Sequence, residues 1–481
     1  MKKYNIAYVL GLSLVSAMGG LLFGYDWVVI GGAKPFYELY FNITQSPALQ
    51  GWAMSSALVG CIFGAAFAGK AADKFGRKLP LIAAAILFVV SAYGTGAVDQ
   101  FNLFIIYRLI GGIGIGIAST LSPLYIAEIA PSEIRGLFVS INQLTIVIGI
   151  LAAQIVNMLI AQPVPETAGA QEILLSWNGQ WGWRWMFWAE LAPAVAFFLL
   201  MFTLPESPRF LAKVRQYERS TRILSRVGGN AYAETALSQI KATLKDNETK
   251  IPLKALLDKK IVPILMIGVV LAAFQQWCGI NVIFNYAEEV FRSAGYSIND
   301  MFLNIIITGS VNLIFTVVAM GVVDNWGRRK LMSLGSGGLA AIYLVLGSFY
   351  FMNMTGWPLL LLVVGAIAIY AMTLAPITWV VLSEIFPNRI RGAAMSIATL
   401  SLWISSSLLT LTFPFLNKAF GAAGTFWIYG IICLVGFLYI YYKLPETKGK
   451  SLEEIENELT QIRYNNEYSK SLERDRKDTY V

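Results

Sequence analysis

Apolar runs recur from one end of the chain to the other, separated by short polar intervals. Each is about 20 residues long, the length one helix needs to cross the hydrocarbon core of a bilayer. Twelve are read, at residues 7–30, 50–70, 79–98, 101–124, 136–160, 184–204, 261–287, 301–323, 331–351, 358–383, 392–414 and 425–443. The first follows Met1, Lys2 and Lys3, yet it is too long for the apolar core of a signal peptide and lacks a clear cleavage signature, so it is read as a crossing. The expected fold class is an all-α membrane protein.

Lys and Arg give the orientation. Thirty-two of them fall in the termini and in the loops after even-numbered crossings, against Lys34, Arg292 and Lys418 in the opposite loops. The positive-inside rule then places both termini in the cytoplasm. Two arginines escape the tally: Arg184 at the outer end of crossing six and Arg108 within crossing four. Asp26, in the stretch GGLLFGYDWVVIGG of crossing one, is an anomaly of the opposite sign. An intramembrane carboxylate costs about 2.5–3.5 kcal/mol on insertion scales, so it needs a functional or structural reason.

Composition agrees with lipid as the solvent: 56% of residues are hydrophobic, 14% are charged, and the mean hydropathy is +0.60. The net charge of +8 reflects cytoplasmic Lys and Arg facing anionic lipid rather than a nucleic-acid site. There is no histidine, which removes the usual zinc site, the histidine proton relay and the common catalytic triads. Neither a metal nor a cofactor is expected. Cys61, Cys278 and Cys433 all fall within crossings, so a disulfide framework is not expected. If protons move through this protein, carboxylates carry them.

The chain also repeats itself. DKFGRK from Asp73 follows crossing two and DNWGRRK from Asp324 follows crossing eight. Glu128, Pro131, Arg135 and Gly136 recur as Glu384, Pro387, Arg391 and Gly392, each 256 residues on. Two pseudo-symmetric six-helix halves are implied, at 1–204 and 261–443, with a polar helical linker at 205–260 and a cytoplasmic tail at 444–481. Parallel halves of this kind are a transporter architecture, with substrate held between them near the midplane.

The motifs carry a family resemblance. FGYD at Phe23–Asp26, YRLIGGIGIG from Tyr107, YIAEIAPSEIRG, PESPR at Pro205, QQWCGIN from Gln275, WVVLSEIFPNRIRG from Trp379 and PETKGKSLEE from Pro445 join the two loop motifs in order and spacing. Together they resemble the sugar porters of the major facilitator superfamily over nearly the whole chain. Within that family they resemble bacterial proton-coupled pentose and hexose symporters of the D-xylose type.

A monosaccharide presents hydroxyls that both donate and accept, and apolar ring faces. Uncharged amides match the first and aromatic rings the second. Crossing seven has this character, with Gln275, Gln276, Asn281 and Asn285 in an apolar segment and Gly279 placed to let the helix unwind. The resemblance implies that Gln143, Gln275, Gln276, Asn281 and Trp379 hold the sugar, with Phe23 on the wall; Asn285 and Trp403 are added as neighbours. The alternative for any single amide is an interhelical hydrogen bond, about 0.6 kcal/mol in a membrane. Asn285, Ala375 and Leu402 depart from the family pattern, which leaves the choice of sugar open.

The family arrangement sets crossing one beside crossing four, which would pair Asp26 with Arg108. Burial raises a carboxyl pKa and a guanidinium lowers it, so small movements between the two could load or release a proton, with Glu190 assisting. A static ion pair is the alternative. For the loop motifs, Asp73, Arg77, Glu128, Arg135, Asp324, Arg328, Glu384 and Arg391 are expected to form a cytoplasmic charge network tying the halves together when the cavity faces out. Topology signals and helix caps are the plainer reading. Gly112 and Gly116 provide a small-residue helix contact, and Trp177, Trp181 and Trp183 read as interfacial anchors.

The function implied is alternating-access import of a pentose or hexose with a proton across the cytoplasmic (inner) membrane, by a monomer. A uniporter of the same fold is the alternative. A sugar sensor is less favoured because only a short charged stretch ending in SLERDRKDTYV follows crossing twelve.

Overall fold

The computed structural model describes residues 4–165, 167–246, 261–386 and 390–448. Helix dominates, and no strand occurs among the described residues. The first five crossings are single helices: Ile6–Tyr40, Pro47–Phe75, Lys78–Ala97, Phe101–Ile129 and Arg135–Ile160. The sixth spans Asn178–Met201, the seventh Val262–Asn285, the eighth Ile298–Trp326, the ninth Arg328–Phe351 and the tenth Trp357–Ile385. Crossings eleven and twelve run together as Arg391–Lys443, broken at Gly421, whose φ of 65° interrupts the helix. Phe63, Phe67, Tyr93 and Leu159 are more than half exposed on these helices. In a chain of this hydropathy such faces meet lipid.

An even number of crossings brings the chain ends to one side, called here the termini end. The first six and last six crossings pack with matching partners: two against four as eight against ten, and one against five as seven against eleven. Between the halves, crossing two meets eleven and crossing five meets eight, again a matched pair. Gly60 and Gly64 of crossing two face Gly112 and Gly116 of crossing four, where a Cβ would collide with the opposing backbone. Those glycines set the helix separation.

Three crossings are bent where chemistry is concentrated. Crossing six opens with a π-helical turn at Asn178–Gly182 and breaks at Glu190. Crossing seven breaks at Gly279 (φ 85°), as its glycine suggested, and continues into a short helix at Ala287–Ser293. Crossing ten breaks at Thr373 (φ −122°, ψ −84°), ahead of Pro376. The polar linker holds the helix Pro208–Lys213 and a longer one, Tyr217–Asp246, kinked at Gly228 and Gly229.

Two expectations need correction. Lys34 is not in a loop: the first helix runs ten residues past the apolar stretch, and Lys34 is 2% exposed within it. Trp183 is not an interfacial anchor but fully buried, packed against Tyr40, Phe41, Phe104 and Phe187. Trp177 and Trp181 do remain exposed.

Candidate functional site

The two charge anomalies meet. Arg108 of crossing four donates from Nη1 to Asp26 Oδ1 and from Nη2 to the Asp26 carbonyl at 3.4 Å, with both side chains 2% exposed. Asp26 Oδ2 and Arg108 Nε have no hydrogen-bond partner among the described residues. Glu190, at the break in crossing six and also 2% exposed, lies within electrostatic reach of both. Gly111, one turn above Arg108, leaves room for the carboxylate, because a Cβ there would crowd Ser91 and Asp26. The result is a buried triad of one cation and two carboxylates. Two carboxylates share one guanidinium in a buried site, an arrangement that is costly to keep fully charged.

Crossing seven brings its amides into a chain. Asn281 Nδ2 donates to Gln276 Oε1, Gln276 Nε2 donates to Gln275 Oε1 at 3.2 Å, and Gln275 Nε2 donates to the Ala375 carbonyl of crossing ten at 3.3 Å. The break at Gly279 makes the contact between Gln276 and Asn281 possible across five residues. Asn285 is 4% exposed with Oδ1 unpartnered, and Trp403 is 3% exposed with Nε1 unpartnered. Phe23, Trp27 and Trp403 cluster with ring centroids 5.3–6.1 Å apart. Trp27, Arg108 and Asn285 line one small cavity with Met54, joining the charged triad to the aromatic cluster. Gln143 and Trp379 are half-buried. Trp27 was missed from sequence, since an aromatic residue in an apolar run offers no contrast.

At the termini end the loop motifs form two separate networks. Arg77 Nη2 donates to Glu128 at 2.7 Å, Ser207 Oγ donates to Glu128, and Glu206 accepts the backbone N–H groups of Arg77 and Lys78. In the second half Arg328 Nη2 donates to Glu384 at 3.1 Å, Thr447 Oγ1 donates to Glu384 at 2.6 Å, and Glu446 accepts the Arg328 N–H at 2.8 Å. In this structure these pairs lie within each half. Asp73 pairs with Lys213 of the linker at 2.7 Å, and Arg135 is exposed. The side chains of Asp324 and Arg391 lie outside the described residues. Glu206 and Glu446 were not singled out from sequence, although PES and PET mark them.

The far end carries two further charged groups. Arg184 donates to the carbonyls of Gly96 and Val98 and to Asp99, and lies over the rings of Tyr40 and Trp183. Hydrogen bonds from Tyr40 and Arg184 hold the loop carboxyl of Asp99 below the usual carboxylate range. Lys34 lies in a pocket of three carboxylates, with Nζ at 3.0 Å from Glu38, 3.4 Å from Glu288 and 2.5 Å from Glu289. The far ends of the halves are in contact. Asn299 exchanges hydrogen bonds with the Val164 backbone, Gly31 lies against the backbone of Phe284 and Asn285, and Gly51 against Leu411.

Among known families, the one described as sugar (and other) transporter matches residues 12–459. The chain belongs to that family. It is 40% identical to the D-xylose-proton symporter of Escherichia coli (strain K12), over 94% of this chain and 96% of that one. To the arabinose-proton symporter of Bacillus subtilis (strain 168) it is 38% identical, over 95% and 96% of the two chains. A solved structure of the xylose transporter XylE from E. coli, in a partially occluded inward-open conformation, superposes with a TM-score of 0.82 at 37% identity, covering 92% of this chain and all of that one. The fold is therefore that of the major facilitator superfamily, and the protein is a transporter rather than an enzyme.

Proposed function

We propose that this transporter imports a pentose or hexose together with a proton, by alternating access across the cytoplasmic membrane. The buried Asp26–Arg108 pair beside Glu190 carries the reading. Three ionisable side chains at membrane depth are costly unless their charge changes during the cycle. The resemblance to two proton-coupled sugar symporters supports the same conclusion.

The proposed roles follow from position. Gln143, Gln275, Gln276, Asn281 and Asn285 contact sugar hydroxyls, and Phe23, Trp379 and Trp403 cover its apolar faces. The buried, unpartnered Asn285 Oδ1 and Trp403 Nε1 offer one acceptor and one donor for such a ligand. A proton on Asp26 releases Arg108 from its partner, and Glu190 is the nearby carboxylate that receives the freed guanidinium. The termini end is cytoplasmic, from the Lys and Arg distribution. The contact between the far ends supports reading the structure as the state whose site communicates with the cytoplasm. The halves at 1–204 and 261–443 move about the central site, joined by the linker at 205–260, and the loop motifs regroup between the halves in the opposite state.

A uniporter would share all of this except the coupling role of Asp26. The deciding experiment is uptake of labelled D-xylose, L-arabinose and D-glucose into proteoliposomes, with and without an inward proton gradient, by the wild type and Asp26→Asn. Gradient-driven accumulation that is lost in Asp26→Asn, with sugar exchange retained, is expected. Equal downhill flux in both proteins, indifferent to the gradient, would make the protein a uniporter and Asp26 a structural partner of Arg108.

A further inference from the structure

Lys34 bridges three carboxylates, and its partners come from both halves. Glu38 sits one turn along the same helix, while Glu288 and Glu289 belong to the short helix Ala287–Ser293 beyond the break in crossing seven. Lys34, Glu38 and Glu288 are at most 8% exposed. Gln50 of crossing two donates to Glu38 at 2.9 Å, Arg292 reaches Glu288 at 3.4 Å from solvent, and the Tyr286 ring lies 5.8 Å from the ammonium. A cleft of about 370 Å³ lined by Val164, Glu288, Arg292, Tyr296 and Asp300 opens beside the cluster, so water reaches its edge.

We propose that Lys34 is the latch of the gate at the far end, a positioning residue whose bridges to Glu288 and Glu289 hold that end of the transporter shut. The argument is one of charge. Closing the far end brings two carboxylates from the second half against Glu38 of the first. Without an ammonium between them, three negative groups, two of them buried, would repel one another. Opening that end separates Lys34 from Glu288 and Glu289, leaves it with Glu38 alone, and hydrates the rest. Lys34 therefore interacts more favourably with one conformation than with the other, which is the requirement for biasing a two-state equilibrium. Removing one partner of a buried ion pair is severe because it strands the others.

The inference rests on the alternating-access reading, but its test needs neither sugar nor proton. Spin labels on Leu159→Cys and Phe351→Cys, both exposed at the far ends of their helices and in different halves, report the separation of those ends. The native cysteines are buried and leave the labels selective. In the full-length protein in lipid, Lys34→Met is expected to lower the closed-to-open ratio about tenfold or more. The charge-swapped Lys34→Glu with Glu289→Lys, which keeps the net charge and the bridge, should restore the wild-type distribution. An unchanged distribution in Lys34→Met overturns the proposal, as does a shift that the swap leaves uncorrected. Should Lys34→Met not fold, the swap alone decides: closed far ends sustain the latch and open ones overturn it. Failure of the wild type to transport sugar would leave these distances untouched, so it would count against the proposed function alone.

Discussion

Gln275 shows what one side chain does at this site. Its amide donates to the Ala375 carbonyl and accepts from Gln276, so it joins crossing ten to the amide chain while keeping donor capacity for a ligand. A neutral hydrogen bond contributes about 0.5–1.5 kcal/mol, so Gln275→Ala should weaken sugar binding about tenfold, read as a Kd by calorimetry on the purified protein. An unchanged Kd would remove Gln275 from the site. At this scale the sequence was most informative where a residue contrasts with its surroundings. Asp26 and Arg108 stand out as charges in apolar runs, and their pairing is what the structure contains. Lys34 offered the same contrast but lies just beyond the apolar run, beside Pro35, and so read as a loop residue. Trp27 offered none.

The elements themselves were legible because the length and polarity of a crossing are written along one dimension of the chain. Their breaks were legible only in part. Gly279 could be named because φ near 85° is cheap for glycine and costs other residues about 1–2 kcal/mol. The break at Thr373 falls where Pro376, lacking an N–H, cannot donate to the Met372 carbonyl. A proline in an apolar run does not by itself say whether the helix breaks, since Pro35, Pro123 and Pro414 lie inside helices that continue past them. The conformation at Gly279 is strongly enforced, since a Cβ there would also stand 2.8 Å from the Tyr429 ring. Gly279→Ala should therefore lower the melting temperature in detergent and weaken sugar binding together, because the break is what brings Asn281 to Gln276. Gly11→Ala is the control. That glycine is exposed on crossing one with nothing within 4 Å of a Cβ, so its stability should hold or rise slightly. A Gly279→Ala protein that melts and binds like the wild type would show that crossing seven does not need its bend.

Over the whole molecule, the internal repeat extends further than the motifs alone suggested. The loop motifs align by their Asp, Gly and Arg residues, yet the groups that complete each network come from PES at 205–207 and PET at 445–447, outside the aligned segments. Sequence alone could not join them, because the contact is formed by the return of the chain after six crossings. The two networks match in detail. Gly76 and Gly327 have φ of 85° and 87°, and each makes room for the carboxylate of Glu206 or Glu446. Those carboxylates accept N–H groups at the start of crossings three and nine, where the helix dipole also favours negative charge. Loss of such a cap costs about 1 kcal/mol, so Glu206→Ala and Glu446→Ala should each destabilise the protein by that order. The two sites share no partner and sit in different halves, so the double variant should show the sum to within about 0.5 kcal/mol. Thermal or denaturant unfolding of the two single variants and the double in one detergent measures this. Equal single losses that add would mean that each half carries its own copy of the same structural device. A double variant much less stable than the sum would mean that the networks act as one unit across the interface at the termini end, and the account of two separate, symmetry-related networks would have to be given up.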